Sequence, residues 1–195
     1  MIGRFRDVAG RCGALSAALW LGAASAGLAA EPRDWLFQAR VLYNERHFDE
    51  AIAAADEGRR APEFADAADL VAARAYLERY RESAVPADLI SARERLQRIN
   101  VGRLGASERV ELIVGMGEAL FFDESIGAAA AVFESVLARR YDLAPEARER
   151  VLDWWASALD RQARPRPDIE RQGMYQKILS RMRDELGANP ASTVA

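Results

Sequence analysis

Residues 110–137 read VELIVGMGEALFFDESIGAAAAVFESVL, and this stretch decides the fold of the chain. In its first half, apolar or small residues recur at i, i+3, i+4 and i+7, which is the spacing of one face of an α-helix. Polar residues and a glycine interrupt the pattern at 123–127, and a second apolar stripe then leads to Leu137. The stretch therefore predicts two short helices folded back on each other.

Two residues of this hairpin have almost no side chain. Gly117 lies on the first predicted helix and Ala129 on the second, and Phe133 supplies bulk beside them. Helix axes can approach each other closely where both side chains are small. We therefore expect the two helices to interlock at this point.

The spacing of the hairpin resembles the tetratricopeptide repeat (TPR), a helix-turn-helix unit of about 34 residues. The resemblance rests on Ile113, Gly117, Leu120, Ala129, Phe133 and Val136, and Tyr141 stands where the repeat often has Pro. One copy alone would equally fit any amphipathic helical hairpin. Further copies in the chain favour the repeat. The resemblance covers about Trp35 to Pro190 and is to exported bacterial TPR proteins as a class.

A first copy begins at Trp35 and has a polar turn at 44–50. Its repeat positions are occupied by Trp35, Ala39, Leu42, Phe48, Ala51, Ala55 and Gly58. The second copy keeps Ala73 and Tyr76, but Asp69 stands where an apolar residue is expected. Its halves are separated by extra residues at 81–87, which predict either a longer loop or an extended first helix.

The remaining units follow from helix start and stop signals. Ser107 is expected to be the N-cap of the third unit, and a fourth is expected to begin at Pro145, with Trp154 and Ala158 at its Trp and small positions. A break at 164–168 precedes a last helix at about 169–186, capped by Gly187.

The resemblance implies an all-α fold, a right-handed α-solenoid of about four helix-turn-helix units, and a generic helical bundle is the alternative. The units are placed at about 32–65, 66–106, 107–143 and 145–190, with a frayed tail at 191–195.

The first 30 residues have the pattern of a secretory signal peptide: three Arg, an apolar run at 14–30, and small residues at its end. A leader of residues 1–29 or 1–30 would place the mature chain in the periplasm or outside the cell. The alternative is a retained membrane anchor, although the Ala-rich run is short for a bilayer span. Cys12, the single Cys, lies within the leader, so the mature chain would have no disulfide or thiolate site.

Charge and composition argue against several functional classes. The chain has a net charge of −3, and loss of three Arg and one Asp with the leader would make it −5. A mildly acidic domain is a poor nucleic-acid binder, because phosphate binding needs a basic surface. His47, the single His, falls in a predicted turn without ligand spacing for zinc, and no nucleophile elbow or phosphate-binding loop is present. We therefore expect no catalytic, metal-binding or cofactor-binding residues, and a protein that is not an enzyme.

The TPR resemblance implies a concave groove lined by the first helices of the units. Its side chains would be Leu36, Arg40, Tyr43, Asn44, Leu70, Arg74, Leu77, Glu118, Phe121, Phe122 and Trp155. Arg40 and Arg74 could hold a carboxylate or an acidic peptide, and Glu118 a basic group. For the two Arg, a solvated surface is the alternative. At least one member of each aromatic pair, 121–122 and 154–155, is expected in the core.

These features predict an exported TPR-like scaffold that binds a protein or peptide in its groove, with envelope assembly or secretion as the expected setting. Contact with a membrane is expected only through an uncleaved leader. The alternatives are a structural module that associates with itself and an enzyme or small-molecule carrier with a pocket between the inserted segment at 81–87 and the third copy.

Overall fold

A computed structural model of the protein describes residues 31–139 and 143–195. The leader at 1–30, its Cys12 and Tyr141 lie outside the described residues. Within them, regular structure is entirely helical. The α-helices are α1 (Pro32–Asn44), α2 (Phe48–Gly58), α3 (Ala65–Ser83), α4 (Pro86–Arg98), α5 (Ala106–Phe122), α6 (Ile126–Ala138), α7 (Pro145–Ala163) and α8 (Asp168–Ala188), and a 3-10 turn spans Val101–Arg103.

The helices form four successive pairs, and contacts run mainly between neighbours along the chain. Each second helix, α2, α4 or α6, packs on its own first helix and on the first helix of the next pair. The first helices also contact one another in the order α1, α3, α5, α7, so they form a common layer. This arrangement confirms an all-α, solenoid-like fold. None of the described helices combines the length and apolar character needed to cross a bilayer.

The turns of the first and third pairs share one backbone geometry. Arg46 and Glu124 both have a positive φ, 65° and 60°. In each turn, this residue donates its N–H to the carbonyl three positions earlier, and the next residue donates to the carbonyl five positions earlier. These two bonds are those of a Schellman motif, which closes a helix with a left-handed residue. The shared geometry supports the alignment of the first copy with the hairpin at 110–137.

The small residues at the predicted packing points lie inside the protein. Ala39, Ala73 and Ala158 are fully buried, and Gly117 is buried as well. A Cβ atom at position 117 would lie 2.6 Å from Cε1 of Phe133 on α6, so the close approach of α5 and α6 depends on the missing side chain. The expected interlocking of the hairpin is confirmed.

The second pair has an extended first helix rather than a long loop. Helix α3 continues to Ser83, and only Ala84 and Val85 connect it to α4. Of the two alternatives for residues 81–87, the extended first helix is therefore confirmed and the longer loop is wrong.

Asp69, which stands where the repeat has an apolar residue, is a buried carboxylate paired with arginines. It accepts hydrogen bonds from Arg59 Nε at 3.0 Å and from Arg95 Nη1 at 2.8 Å, and Arg95 also pairs with Asp56 at 2.6 Å. Helices α2, α3 and α4 are thus linked through charge where the repeat uses an apolar contact.

Two predicted caps are wrong, whereas two predicted boundaries are confirmed. Helix α5 begins at Ala106, so Ser107 is its second residue; Gly105 precedes the helix and donates its N–H to Glu108 Oε2 at 2.8 Å. Helix α8 runs through Gly187 to Ala188. Pro145 begins α7, and the predicted break falls between Ala163 and Asp168.

Candidate functional site

The first helices of the four pairs enclose a cavity of about 330 Å³. It is lined by residues of α1, α3, α5 and α7 and by the short segment before α7. Tyr43 from α1 and Trp154 from α7 contribute aromatic surface. The charged residues that line it are Arg74, Glu78, Arg81, Glu111, Glu118, Glu146, Arg150 and Asp153.

Helical spacing brings these charges to one place. On α3, Arg74, Glu78 and Arg81 stand at i, i+4 and i+7, and on α5 Glu111 and Glu118 are one heptad apart. Residues at these intervals share one face of a helix. The cavity is therefore built where the polar faces of successive first helices meet.

Arg74 of α3 contacts both α1 and α5, and so connects three of the four helices that line the cavity. Its guanidinium lies over the ring of Tyr43, 4.3 Å from the ring centroid, and donates a hydrogen bond to Glu111 Oε2 at 2.7 Å. Burial raises the pKa of the Tyr43 phenol, although the positive charge of Arg74 lowers it in part. Stacking and pairing together fix the Arg74 side chain between α1 and α5.

Glu118 faces the same cavity without a hydrogen bond or ion pair to any described residue. Burial, and secondarily the negative charge of Glu78, raise its pKa to about 7, against the opposing effect of nearby Arg side chains. Glu78 itself is paired with Arg81 one turn along α3. Glu118 is therefore a carboxylate held partly out of water with no partner of its own.

Three further charged side chains at the cavity are exposed and unpaired among the described residues. Arg150 and Asp153 extend from α7, and Glu146 lies in the first turn of that helix. Because no described residue pairs with them, they are available to a bound molecule.

The structure brings together four of the predicted groove residues: Tyr43, Asn44, Arg74 and Glu118 line the cavity. Arg40 lies beside it, in an adjoining depression of about 280 Å³, and pairs with Glu108. Both Arg side chains predicted to hold a ligand carboxylate are thus already paired with glutamates of the chain.

Four predicted groove residues belong to the core, and their assignment to the groove is wrong. They are Leu36, Leu70, Leu77 and Trp155, all of them buried. Leu70 and Leu77 pack in one cluster with residues of α4 and α5, so their apolar side chains fill the junction between the second and third pairs. Leu36 packs similarly between α1 and α3.

The error at Trp155 is a shift of one residue. Val151, Trp155 and Ala158 form the buried stripe of α7, whereas the adjacent Trp154 is half-buried and lines the cavity. Two consecutive Trp residues give no local signal about which one faces inward.

Phe121 and Phe122, also predicted for the groove, are half-buried in an aromatic cluster. Their ring centroids lie 4.9 Å and 5.4 Å from that of Trp154, both in edge-on orientations. Phe122 also contacts Tyr80 of α3, with centroids 5.0 Å apart. The cluster joins α3, α5 and α7 and supports the cavity wall through Trp154.

Sequence reasoning missed Arg81, Glu111 and Arg150 as cavity residues. A signal was available for the first two, since each lies seven residues from a predicted site residue, Arg74 or Glu118, and so shares its helix face. Arg150 lies one turn before Trp154, and the misplaced Trp concealed it. Within residues 31–139 and 143–195, no three potential metal ligands cluster together, and His47 is exposed in the first turn.

Comparison with models of protein families finds no match for the chain, and searches among curated proteins and solved structures find none either.

Proposed function

We propose that this protein is an exported TPR-like scaffold that binds a segment of a partner protein at the cavity formed by α1, α3, α5 and α7. One observation carries the proposal: four successive first helices line a single cavity, and three of them, α3, α5 and α7, contribute charged groups to it. In solenoid proteins, the surface shared by successive repeats is the usual binding surface. The pattern of the first 30 residues supports export. In this proposal the protein is a binding module and not an enzyme.

Site-specific photo-crosslinking tests this function. A photoreactive amino acid would replace Asn44 or Arg150, both exposed at the cavity, in cells that produce the full chain. The controls are Ala87 and Glu94, which are exposed on α4 outside the cavity. Irradiation should give a discrete adduct with one partner from the first two positions and not from the controls. Equal labelling from all four positions, or no adduct, would contradict the proposal.

Export has its own test. Cell fractionation should recover the protein from the periplasm or the medium, and N-terminal sequencing should find a chain that begins at Ala30 or Glu31. An intact Met1 in the cytoplasmic fraction would remove export from the proposal and leave the binding function standing.

A second candidate function is self-association through the two ends of the solenoid. Phe37 on α1 is 70% exposed and Ile169 on α8 is 82% exposed, with Leu179 also exposed on α8. Apolar surface at both ends could join copies head to tail. Sedimentation velocity over a wide concentration range would reveal it, and a constant monomer would rule it out.

A further inference from the structure

We infer that the cavity takes up a lysine or arginine side chain of the bound segment, whose cationic group pairs with Glu118. This inference rests on the proposed function and names the chemistry that the cavity recognises. Four features of the cavity support it: its size, its charge, the missing partner of Glu118, and the apolar surface beside that carboxylate.

The size of the cavity limits what can enter it. Its volume of about 330 Å³ lies at the lower end of the range for small-ligand pockets, about 300–1,000 Å³. A helix, with a diameter of about 10 Å including its side chains, is too wide for such a space. One long side chain of an extended segment fits, with the backbone of the segment lying at the opening.

The charge balance favours a cation. Arg74 is paired with Glu111, and Arg81 is paired with Glu78, so these four residues neutralise one another. The charged lining residues that have no partner among the described residues are Glu118, Glu146, Asp153 and Arg150. Three acids against one base leave a net negative cavity, which attracts a positive group and repels a carboxylate.

Glu118 is the natural partner for that group. A carboxylate withdrawn from water without a hydrogen bond is costly, and a charge-assisted hydrogen bond from a ligand would remove the cost. The other unpaired acids are exposed and already hydrated. The largest gain on binding is therefore expected at Glu118.

The surface around Glu118 suits the stem of a basic side chain. Val114 and Gly115, on the same helix, line the cavity with apolar atoms, and Trp154 contributes an aromatic surface from α7. Lysine and arginine bury their methylene stems against such surfaces while the charged end finds a polar partner. A cation near an indole ring gains further electrostatic attraction.

Short peptides that differ at one position test the inference. The probes are acetylated and amidated pentapeptides of Gly and Ala with lysine, arginine, norleucine or glutamate at the centre, titrated into the purified protein by calorimetry. Norleucine matches the lysine stem and lacks the amine. We expect the lysine and arginine peptides to bind at least about tenfold more tightly than the norleucine peptide. Equal affinities, or preference for glutamate, would overturn the inference.

Matched variants locate the interaction. Glu118→Gln keeps the shape of the side chain and should abolish the preference for lysine over norleucine. Glu94→Gln, at an exposed position of α4 outside the cavity, should leave this preference unchanged. Arg150→Gln removes the unpaired cation from the cavity and should strengthen lysine binding several-fold. Circular dichroism verifies that each variant is folded; a preference that survives in folded Glu118→Gln would overturn the inference.

Free spermidine distinguishes a peptide side chain from a soluble amine. The inference requires the lysine peptide to bind more tightly than spermidine, because the peptide backbone adds contacts at the opening. Tighter binding of spermidine would overturn it in favour of a polyamine site. The crosslinking experiment at Asn44 and Arg150 is independent of this outcome, so failure of the cation preference with intact crosslinks would refute the inference alone.

Discussion

Gly117 and Phe133 fit together only because Gly117 has no side chain: a Cβ atom there would lie 2.6 Å from Cε1 and 2.9 Å from Cζ of the Phe133 ring. The ring is fully buried, so it cannot move aside without disturbing α5 or α6. In the first pair the equivalent residues are Ala39 and Ala55, both fully buried. The third pair thus combines a glycine with a large ring at this packing point, whereas the first pair combines two alanines.

The Gly117→Ala substitution should destabilise the protein by about 1–3 kcal/mol, because a methyl group must displace a packed ring. Gly173→Ala is the matched control, since nothing lies within 4 Å of a Cβ atom at that site on α8. It should stabilise by about 0.5–1 kcal/mol through helix propensity. Urea denaturation measures both changes.

A second substitution separates the clash from other effects. In a Phe133→Leu background, the ring atoms that a Cβ at position 117 would meet are gone. Gly117→Ala should then cost much less than in the wild-type protein. An unchanged cost in both backgrounds would show that Phe133 is not the cause.

Stability should fall as the pH rises from about 5 to 8 because of Glu118. Its pKa of about 7 in the folded protein lies above the ordinary value of 4.5. The folded state therefore binds more protons than the unfolded state between these values, and stability is lost as the group ionises. The full difference corresponds to at most about 3 kcal/mol.

The charged and titratable groups that face Glu118 come from α1, α3 and α7. The charged groups are Arg74, Glu78, Arg81 and Arg150, and the Tyr43 phenol of α1 is titratable but neutral in this pH range. Comparison of wild type with Glu118→Gln isolates the contribution of Glu118, because these neighbours remain in both proteins. The urea midpoints at pH 5 and pH 8 should differ less in Glu118→Gln than in the wild-type protein. Parallel pH profiles would show that Glu118 does not titrate in this range.

Asp69→Ala should cost about 3–5 kcal/mol, because it leaves the buried end of Arg95 without its partner on α3. The Asp69 side chain is 5% exposed and that of Arg95 13% exposed, so water replaces the lost contact poorly. Asp153→Ala removes an exposed, unpaired carboxylate and should change stability by no more than about 0.5 kcal/mol. Similar midpoints for the two variants in urea would contradict a structural role for the buried ion.

Ala84→Gly should stabilise the turn between α3 and α4. Ala84 has φ of 53° and ψ of 28°, a left-handed conformation that a Cβ atom disfavours. The free energy gained by relieving this strain exceeds the entropic cost of the added flexibility of Gly in the unfolded chain. We therefore expect the free energy of unfolding to rise by about 0.5–1 kcal/mol. Ala53→Gly, at an exposed position within α2, should lose about 1 kcal/mol. Melting temperatures that shift in the same direction in both variants would contradict the assignment of backbone strain to Ala84.

The helix pairs and their packing points could be predicted from sequence because they depend on local spacing. Gly117, Ala129 and Phe133 stand at intervals that suit an interlocked hairpin, and Pro145 marks a helix start. The contents of the cavity were harder to predict. The pairing of Arg74 with Glu111 depends on how α3 lies against α5, and spacing within one helix does not fix that relation.

The misplaced leucines have a similar explanation. Leu77 precedes the cavity residue Glu78, and Leu70 lies one turn before Arg74. Both leucines lie on the side of α3 that meets the following pair. A repeat pattern assigns such positions to the groove when it treats each unit alone. Their burial is settled by the neighbouring helices α4 and α5, which bring apolar partners.

Helix α8 differs from the other helices in having extensive contact on one side alone, with α7. A bidentate pair joins Arg148 to the buried carboxylate of Glu185, with Nε and Oε2 2.8 Å apart. No apolar side chain of α8 is buried. In a linear array, an element with one supporting neighbour detaches at a lower free energy than one held on both sides. The amide protons of α8 should therefore exchange with solvent deuterium well before those of α3, and unfolding should advance along the array from that end.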